Sequence, residues 1–329
     1  MLETQSQPQT GRPQKSDQLP LDAHRAQRVR AAWIYYVEGR TQNEVAQILG
    51  LSRVAVTRLL SEARRRSEVL ITVNSELEET VALERALERT FGIDRAVVAP
   101  LSDPEGDPTR VIAAAAGKVV SSFLENNQTI GVGWGRTLYE MLSFLEPRNL
   151  KDARVVSLLG GISEAKRYNP AEFAWRFAEL VDAEGFLVPA PALVDSAQTR
   201  HALVERCGLD QVFQLAEASD IALLSCGGIS NLTTSYRIGH VSEADRQSLI
   251  AAGAVGDVLY NFVDSEGRIV DHSVNERCMS FSIERLRRIR QRVLISGGRD
   301  KHDILRAAFK ILAPTTFVTD EQTAAGLLA

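Results

Sequence analysis

The chain has 329 residues, of which 44% are hydrophobic, 24% charged and 6% aromatic, the balance of an ordinary globular protein of about two domains. That excludes a collagenous or disulfide-built chain, and three scattered cysteines, Cys207, Cys226 and Cys278, supply neither a zinc pattern nor a bridge framework. The net charge of −4 hides a split, since residues 1–73 carry 11 Lys and Arg against 7 Asp and Glu while residues 74–329 carry 27 against 35. A basic front joined to an acidic body predicts two domains with different partners.

Residues 1–20 hold five Gln and three Pro and too little apolar surface to offset ordering, so they read as a disordered tail. This polar start is no export leader and no run approaches a membrane span, so no membrane partner is expected and the cytoplasm is the expected compartment. From Asp22 to Glu38 the side with Val29, Ala32, Trp33, Tyr36 and Val37 predicts a helix, stopped at Gly39.

The segment 41–66, TQNEVAQILGLSRVAVTRLLSEARRR, carries the strongest local signal. Thr41 and Glu44 form the two ends of a capping box. The helix they open ends at Gly50, and Ser52 caps a second helix over 53–66, whose inner face is Val56, Leu59, Leu60 and Ala63. Two short helices joined by a glycine turn make a helix-turn-helix, assigned here to a DNA-binding domain over 21–75. A recognition helix lays its first turns against base edges while flanking cations meet phosphates. The expected readers are therefore Ser52, Arg53, Ala55, Thr57 and Arg58, with Gln42 placed for a backbone contact. A plain solvated basic helix is the competing reading, but the coincidence of both caps, the turn and the charge weighs against it.

Residues 69–73 read as a short strand, and 77–91 as the helix of a linker spanning 76–92, suited to an assembly interface. Beyond Gly92 apolar strands at 96–99, 129–132, 154–158, 186–188, 220–224, 256–260, 292–296 and 316–318 alternate with helices such as 109–125, 136–145, 170–182, 242–252 and 300–312. The fold class is α/β, and residues 93–329 are expected to form a Rossmann-like domain with a mostly parallel sheet covered on both faces.

In such sheets ligands bind at the carboxyl ends of strands. The turn after 129–132 holds Gly131, Gly133 and Gly135, followed by Arg136 and Thr137, and reads either as a packing device or as a cradle for an anion or hydroxyl-rich ligand. It is neither a Walker loop nor a dinucleotide fingerprint. Asp257, Lys301, Asp320 and Glu321 fall in three further clusters at strand or helix ends, where each reads as a ligand contact or as a cap or solvated charge. His24, His201, His240, His272 and His302 are scattered, with no metal, catalytic or cofactor constellation.

YYVEGRTQNEVAQILGLSRVAVTRLLSEAR (35–64) resembles the amino-terminal helix-turn-helix of the SorC family of bacterial transcriptional regulators, with Glu68 where that family commonly has glycine. GVGWGRT (131–137), LVPAPALV (187–194), GAVGD (253–257), SGGRDK (296–301) and TDEQTA (319–324) resemble that family's effector-domain elements in the same order, with Ser296 in place of alanine. The resemblance implies an effector domain related in fold to sugar-phosphate isomerases. It also implies a repressor of a catabolic operon whose partners are operator DNA and a sugar, polyol or sugar-phosphate effector. One such small domain contacts too little DNA for a specific complex, so a homo-oligomer, dimer or tetramer, is expected. The segments 161–170 and 227–240 fit only loosely and are expected to select the ligand. The alternative is an isomerase-like enzyme using Asp257, Lys301 and Glu321 for acid–base chemistry, which leaves residues 41–66 without a purpose.

Overall fold

The computed structural model describes residues 21–71, 78–162, 168–230 and 241–329. The expected tail lies outside them, as do parts of the two segments expected to select the ligand. Two units separate at Val69 and Leu70.

In the small unit α1 (Leu21–Ala32) runs into one π turn, Trp33–Val37, where the Glu38 amide donates to the Trp33 carbonyl at 3.1 Å. Gly39 then ends the helix at φ +69°. Helices α2 (Gln42–Leu49) and α3 (Arg53–Arg65) follow, and Ala31, Ile34, Val45, Val56, Leu60 and Ala63 form the core between them. The expected strand over 69–73 is not formed at 69–71, and 72–73 lie outside the described residues. Instead Ser67 turns the chain at φ +55° and the Glu68 carboxylate accepts two bonds from the Arg28 guanidinium of α1, at 2.5 and 2.7 Å. This position, where the resembled family has glycine, thus ties the end of α3 to α1 through a pair only 11% and 8% exposed.

The large unit opens with α4 (Glu78–Phe91), β1 (Arg95–Ala99), α5 (Thr109–Phe123), β2 (Thr129–Val132) and α6 (Arg136–Met141). Next come β3 (Arg154–Gly161), α7 (Pro170–Val181), β4 (Glu184–Pro191), α8 (Ala197–Glu205), α9 (Asp210–Glu217), β5 (Ile221–Leu224) and β6 (Cys226–Gly228). The remainder is α10 (Glu243–Ala251), β7 (Ala254–Val258), β8 (Asn261–Asp264), α11 (Ser273–Glu276), α12 (Ile283–Leu286), β9 (Gln291–Ile295), α13 (His302–Leu312), β10 (Thr316–Asp320) and α14 (Glu321–Leu328).

Seven strands form one sheet in the order β1-β10-β9-β5-β2-β3-β4, all neighbours parallel. The central strand β5, Ile221–Leu224, is apolar throughout because both faces are covered. Ile221 and Leu223 of β5 face the layer of α5, α6 and α7, while Ala222 and Leu224 face α9, α13 and α14. Helix α4 belongs to this second layer: Leu87 is fully buried in it, Phe91 stacks on Phe309 at 4.0 Å, and Glu84 and Glu88 accept from the Val98 and Ala96 amides.

A second sheet, β6-β7-β8, is antiparallel. The sequence reading placed a single strand at 256–260; the strand is 254–258, and the chain reverses through Leu259 and Tyr260 at φ +51° and +61°. Two consecutive left-handed residues make a type I′ hairpin turn, usually built of Asn and Gly. Here buried contacts impose it, because Tyr260 stacks on Trp134 at 4.9 Å and its amide donates to the buried Asp257 carboxylate at 2.9 Å.

Candidate functional site

In the small unit the capping box forms as expected, the Thr41 amide and hydroxyl each donating to Glu44 at 2.8 Å. Gly50 takes φ +65°, and the Ser52 hydroxyl accepts from the Ala55 amide at 3.2 Å. Thr57 donates to Gln42 across the turn at 3.0 Å, fixing α2 against α3, so Gln42 positions the reading helix through Thr57. Ser52, Arg53, Thr57 and Arg58 are exposed and Ala55 is half-buried.

Opposite the buried Val56, Leu60 and Ala63, the centre of the exposed face is Val54 and Arg58. Val54, 79% exposed, was missed by the sequence reading, although its place two residues before Val56 put it on that outer face. An apolar side chain there suits contact with a thymine methyl. Arg65 and Arg66 are less free than the run of arginines suggests, since both bind Glu62, at 2.7 and 3.3 Å. The Arg65 bond and then that of Arg66 hold the Glu62 carboxyl down at about 2. Arg53 and Arg58 make no ion pair among the described residues.

In the large unit the strand order creates one crevice. From β2 the chain proceeds to β3 and β4 at one edge, and from β5 it proceeds within this sheet to β9 and β10 on the other side. Connections therefore diverge between the carboxyl ends of β2 and β5, the switch point where ligands of open α/β sheets bind. The Gly133 amide donates to the Leu223 carbonyl at 2.8 Å, and Gly135, at φ +135°, opens toward Ser225. Arg136 is exposed beside this turn and Thr137 is buried behind it.

From β9 the loop 296–301 brings Lys301, whose Nζ lies 3.5 Å from the Ser296 hydroxyl. Ser296 itself meets the Cys226 thiol at 3.4 Å, so the serine that departs from the family pattern joins β6 to the lysine. Asp257 of β7 pairs with Gly227 in register; a side chain on Gly227 would collide with its Oδ1 at 2.5 Å. Burial pushes the Asp257 carboxyl up to about 7 against the Tyr260 amide and the Lys301 charge, which pull the other way.

Gly133, Gly135, Arg136 and Lys301 thus lie at the carboxyl ends of the strands beside this switch point, Thr137 and Asp257 are buried behind it, and three other predicted residues do other work. Gly131 is a packing glycine, because an added Cβ would press on Leu158 and Ser219 at 3.1 Å. Asp320 is buried and caps α14, accepting from the Thr323 amide and hydroxyl at 2.9 and 2.6 Å. Glu321 accepts from the Leu101 amide at 3.1 Å.

Sequence reasoning also missed Asp107, which grips Arg136 through both oxygens, at 3.0 and 3.1 Å. Its only signal was an acidic turn, DPEGDP, after a strand. Among the described residues there is no cluster of three or more His, Cys, Asp or Glu fit for a metal, and no helix long and apolar enough to cross a membrane.

Comparison with known proteins agrees with the motifs. Residues 75–329 match the family described as "Putative sugar-binding domain". The chain is 29% identical over 309 residues to the erythritol catabolism regulatory protein EryD of Brucella abortus (strain 2308), covering 93% of this chain and 98% of that protein. It is 30% identical over 305 residues to the transcriptional regulator LsrR of Enterobacter sp. (strain 638), covering 91% and 92%. The crystal structure of the full-length sorbitol operon regulator SorC from Klebsiella pneumoniae is similar with a TM-score of 0.70 at 27% identity, over 94% of this chain and 100% of that one.

Proposed function

The chain belongs to the SorC family of sugar-binding transcriptional regulators, and from that premise we propose that it represses a carbohydrate or polyol catabolic operon until a sugar, polyol or sugar phosphate releases it. The observation that carries this is the pairing, in one chain, of a capped helix whose Arg53 and Arg58 make no ion pair among the described residues and a parallel sheet with a switch point between β2 and β5. Ser52, Arg53, Val54, Thr57 and Arg58 meet the operator, with Ala55 at the edge of that face and Gln42 behind it. Gly133, Gly135, Arg136 and Lys301 meet the effector; the buried Thr137 and Asp257, with Gly131, Asp320 and Glu321, support that site from behind.

One helix-turn-helix covers too little DNA for a specific complex, so the protein acts as a dimer or tetramer, in the cytoplasm, on a pseudo-palindromic site. Effector and operator favour different states of that assembly, and the difference in their preferences is the regulatory free energy. The test is gel retardation with operator DNA selected from a random library, repeated with sugars, polyols and their phosphates. Retardation that one of these compounds relieves supports the regulator. Aldose–ketose interconversion by the purified protein, with no sequence-selective retardation, would establish the isomerase-like alternative instead.

A further inference from the structure

The segment 101–108, between β1 and α5, runs past the carboxyl ends of β10, β9 and β2. β1 is an edge strand and β2 lies four places away, roughly 19 Å at about 4.8 Å per strand, yet the segment leaves β1 and reaches the turn that follows β2. Its start is fixed by the Leu101 amide on Glu321, and its end by the Thr109 amide and hydroxyl on Asp107, at 3.0 and 2.6 Å. Between these anchors it makes two ion pairs with cations at the strand ends. Glu105 meets Arg299, after β9, at 2.8 Å, and Asp107 takes Arg136, after β2, in a two-pronged contact at 3.0 and 3.1 Å.

A carboxylate gripping a guanidinium by both oxygens occupies the fork that arginine offers a phosphate monoester, with one negative charge where the monoester carries about −1.5 to −2 at neutral pH. Lys301 acts on the same carboxylate: burial raises Asp107, but the Thr109 bonds and the Arg136 and Lys301 charges outweigh it and hold the acid below its usual range. Both pairs are solvent-exposed, with Asp107 57% and Glu105 77% accessible, and exposed pairs exchange partners at little cost.

We infer that 101–108 is a built-in acidic strap that occupies the anion subsite of the crevice through Asp107 on Arg136, and that the effector is a phosphorylated compound whose phosphate displaces it. This rests on the effector reading of Arg136 and Lys301. Phosphate binding therefore frees the strap, and an uncharged polyol does not.

The experiment titrates full-length protein with inorganic phosphate, and separately with sorbitol, by calorimetry, and follows amide exchange over 101–108. Asp107→Asn keeps an oxygen acceptor for Thr109 but loses the charge. It is expected to bind phosphate at least about fivefold more tightly than wild type, with Glu105→Gln a smaller gain in the same direction. Sorbitol affinity stays unchanged in both variants, and exchange at Glu105 and Gly106 in the wild type rises on adding phosphate. Arg136→Ala is expected to lose phosphate binding in either background. If Arg136→Ala and Lys301→Ala both leave phosphate binding untouched, the effector site is misplaced. If they abolish it while Asp107→Asn gains nothing and exchange does not rise, the site stands and the strap is overturned.

Discussion

Two sets of arginines divide this chain. Arg53 and Arg58 on the reading helix are exposed and make no ion pair among the described residues, whereas Arg136 and Arg299 at the crevice are each held by a carboxylate of the same unit. A polyanion approaching α3 meets charge that is already presented, and binding needs only the release of counterions. An anion approaching Arg136 or Arg299 meets a guanidinium already paired with Asp107 or Glu105. The first arrangement favours fast, salt-sensitive association; the second favours selection among ligands, because only a group that outcompetes a carboxylate enters.

The contrast is broken or sharpened by three substitutions. The largest effect is expected from Arg58→Ala, which should weaken operator binding by about 10–100-fold, or 1–3 kcal/mol if it reads a base, while leaving phosphate affinity unchanged. Fluorescence anisotropy with labelled operator at fixed salt measures it, and equal loss of both affinities would end the division of labour between the units.

Next comes Asp257→Asn. Burial raises this acid to about 7 from a usual 3.8, so its protonated form supports the fold below about pH 4 and that support is lost as pH rises to 7. The variant should match the wild type near pH 4 and unfold at a higher temperature at pH 8, by about 1 kcal/mol or more, roughly 2–4 °C for a unit of this size. Melting curves from pH 4 to 8 decide it, and parallel profiles would refute the buried proton.

The smallest effect is expected from Glu62→Gln, which removes the carboxylate that Arg65 and Arg66 share. Non-specific DNA should bind less than about tenfold more tightly, with a salt slope steeper by about one. Because Glu62 titrates at about 2 against a usual 4.5, its support for α3 is present at neutral pH and is lost as pH falls from about 4.5 toward 2; the variant should lack that acid dependence. Salt titrations and helicity at low pH are the readouts, and an unchanged salt slope would show that Glu62 does not hold those arginines in solution.

What was readable in the sequence depended on how local its cause was. The Thr41–Glu44 box, the Gly50 turn and the Ser52 cap are settled within a few residues, and all three form where the pattern puts them. Ile221–Leu224 was legible because coverage on both faces makes it continuously apolar, and the Val293–Ile295 end of β9 for the same reason. The hairpin at Leu259–Tyr260 was invisible, since neither residue favours a left-handed backbone and its cause is the ring of Trp134, distant in sequence. Roles of acids were the least legible. Asp107, Asp257 and Asp320 each sit beside a strand or helix end, yet one grips an arginine, one is buried against Gly227 and one caps a helix. Asp320 and Asp257 find partners three residues on, whereas only the strand order brings Asp107 to Arg136.

That hairpin also couples two turns of the chain. Holding leucine and tyrosine in the left-handed region costs about 1–2 kcal/mol apiece. The Asp257 and Asn261 bonds and the ring of Trp134 hold it in that conformation. The turn after β2 and the hairpin after β7 therefore depend on one another, so a change at Trp134 is felt at two residues that are almost wholly buried.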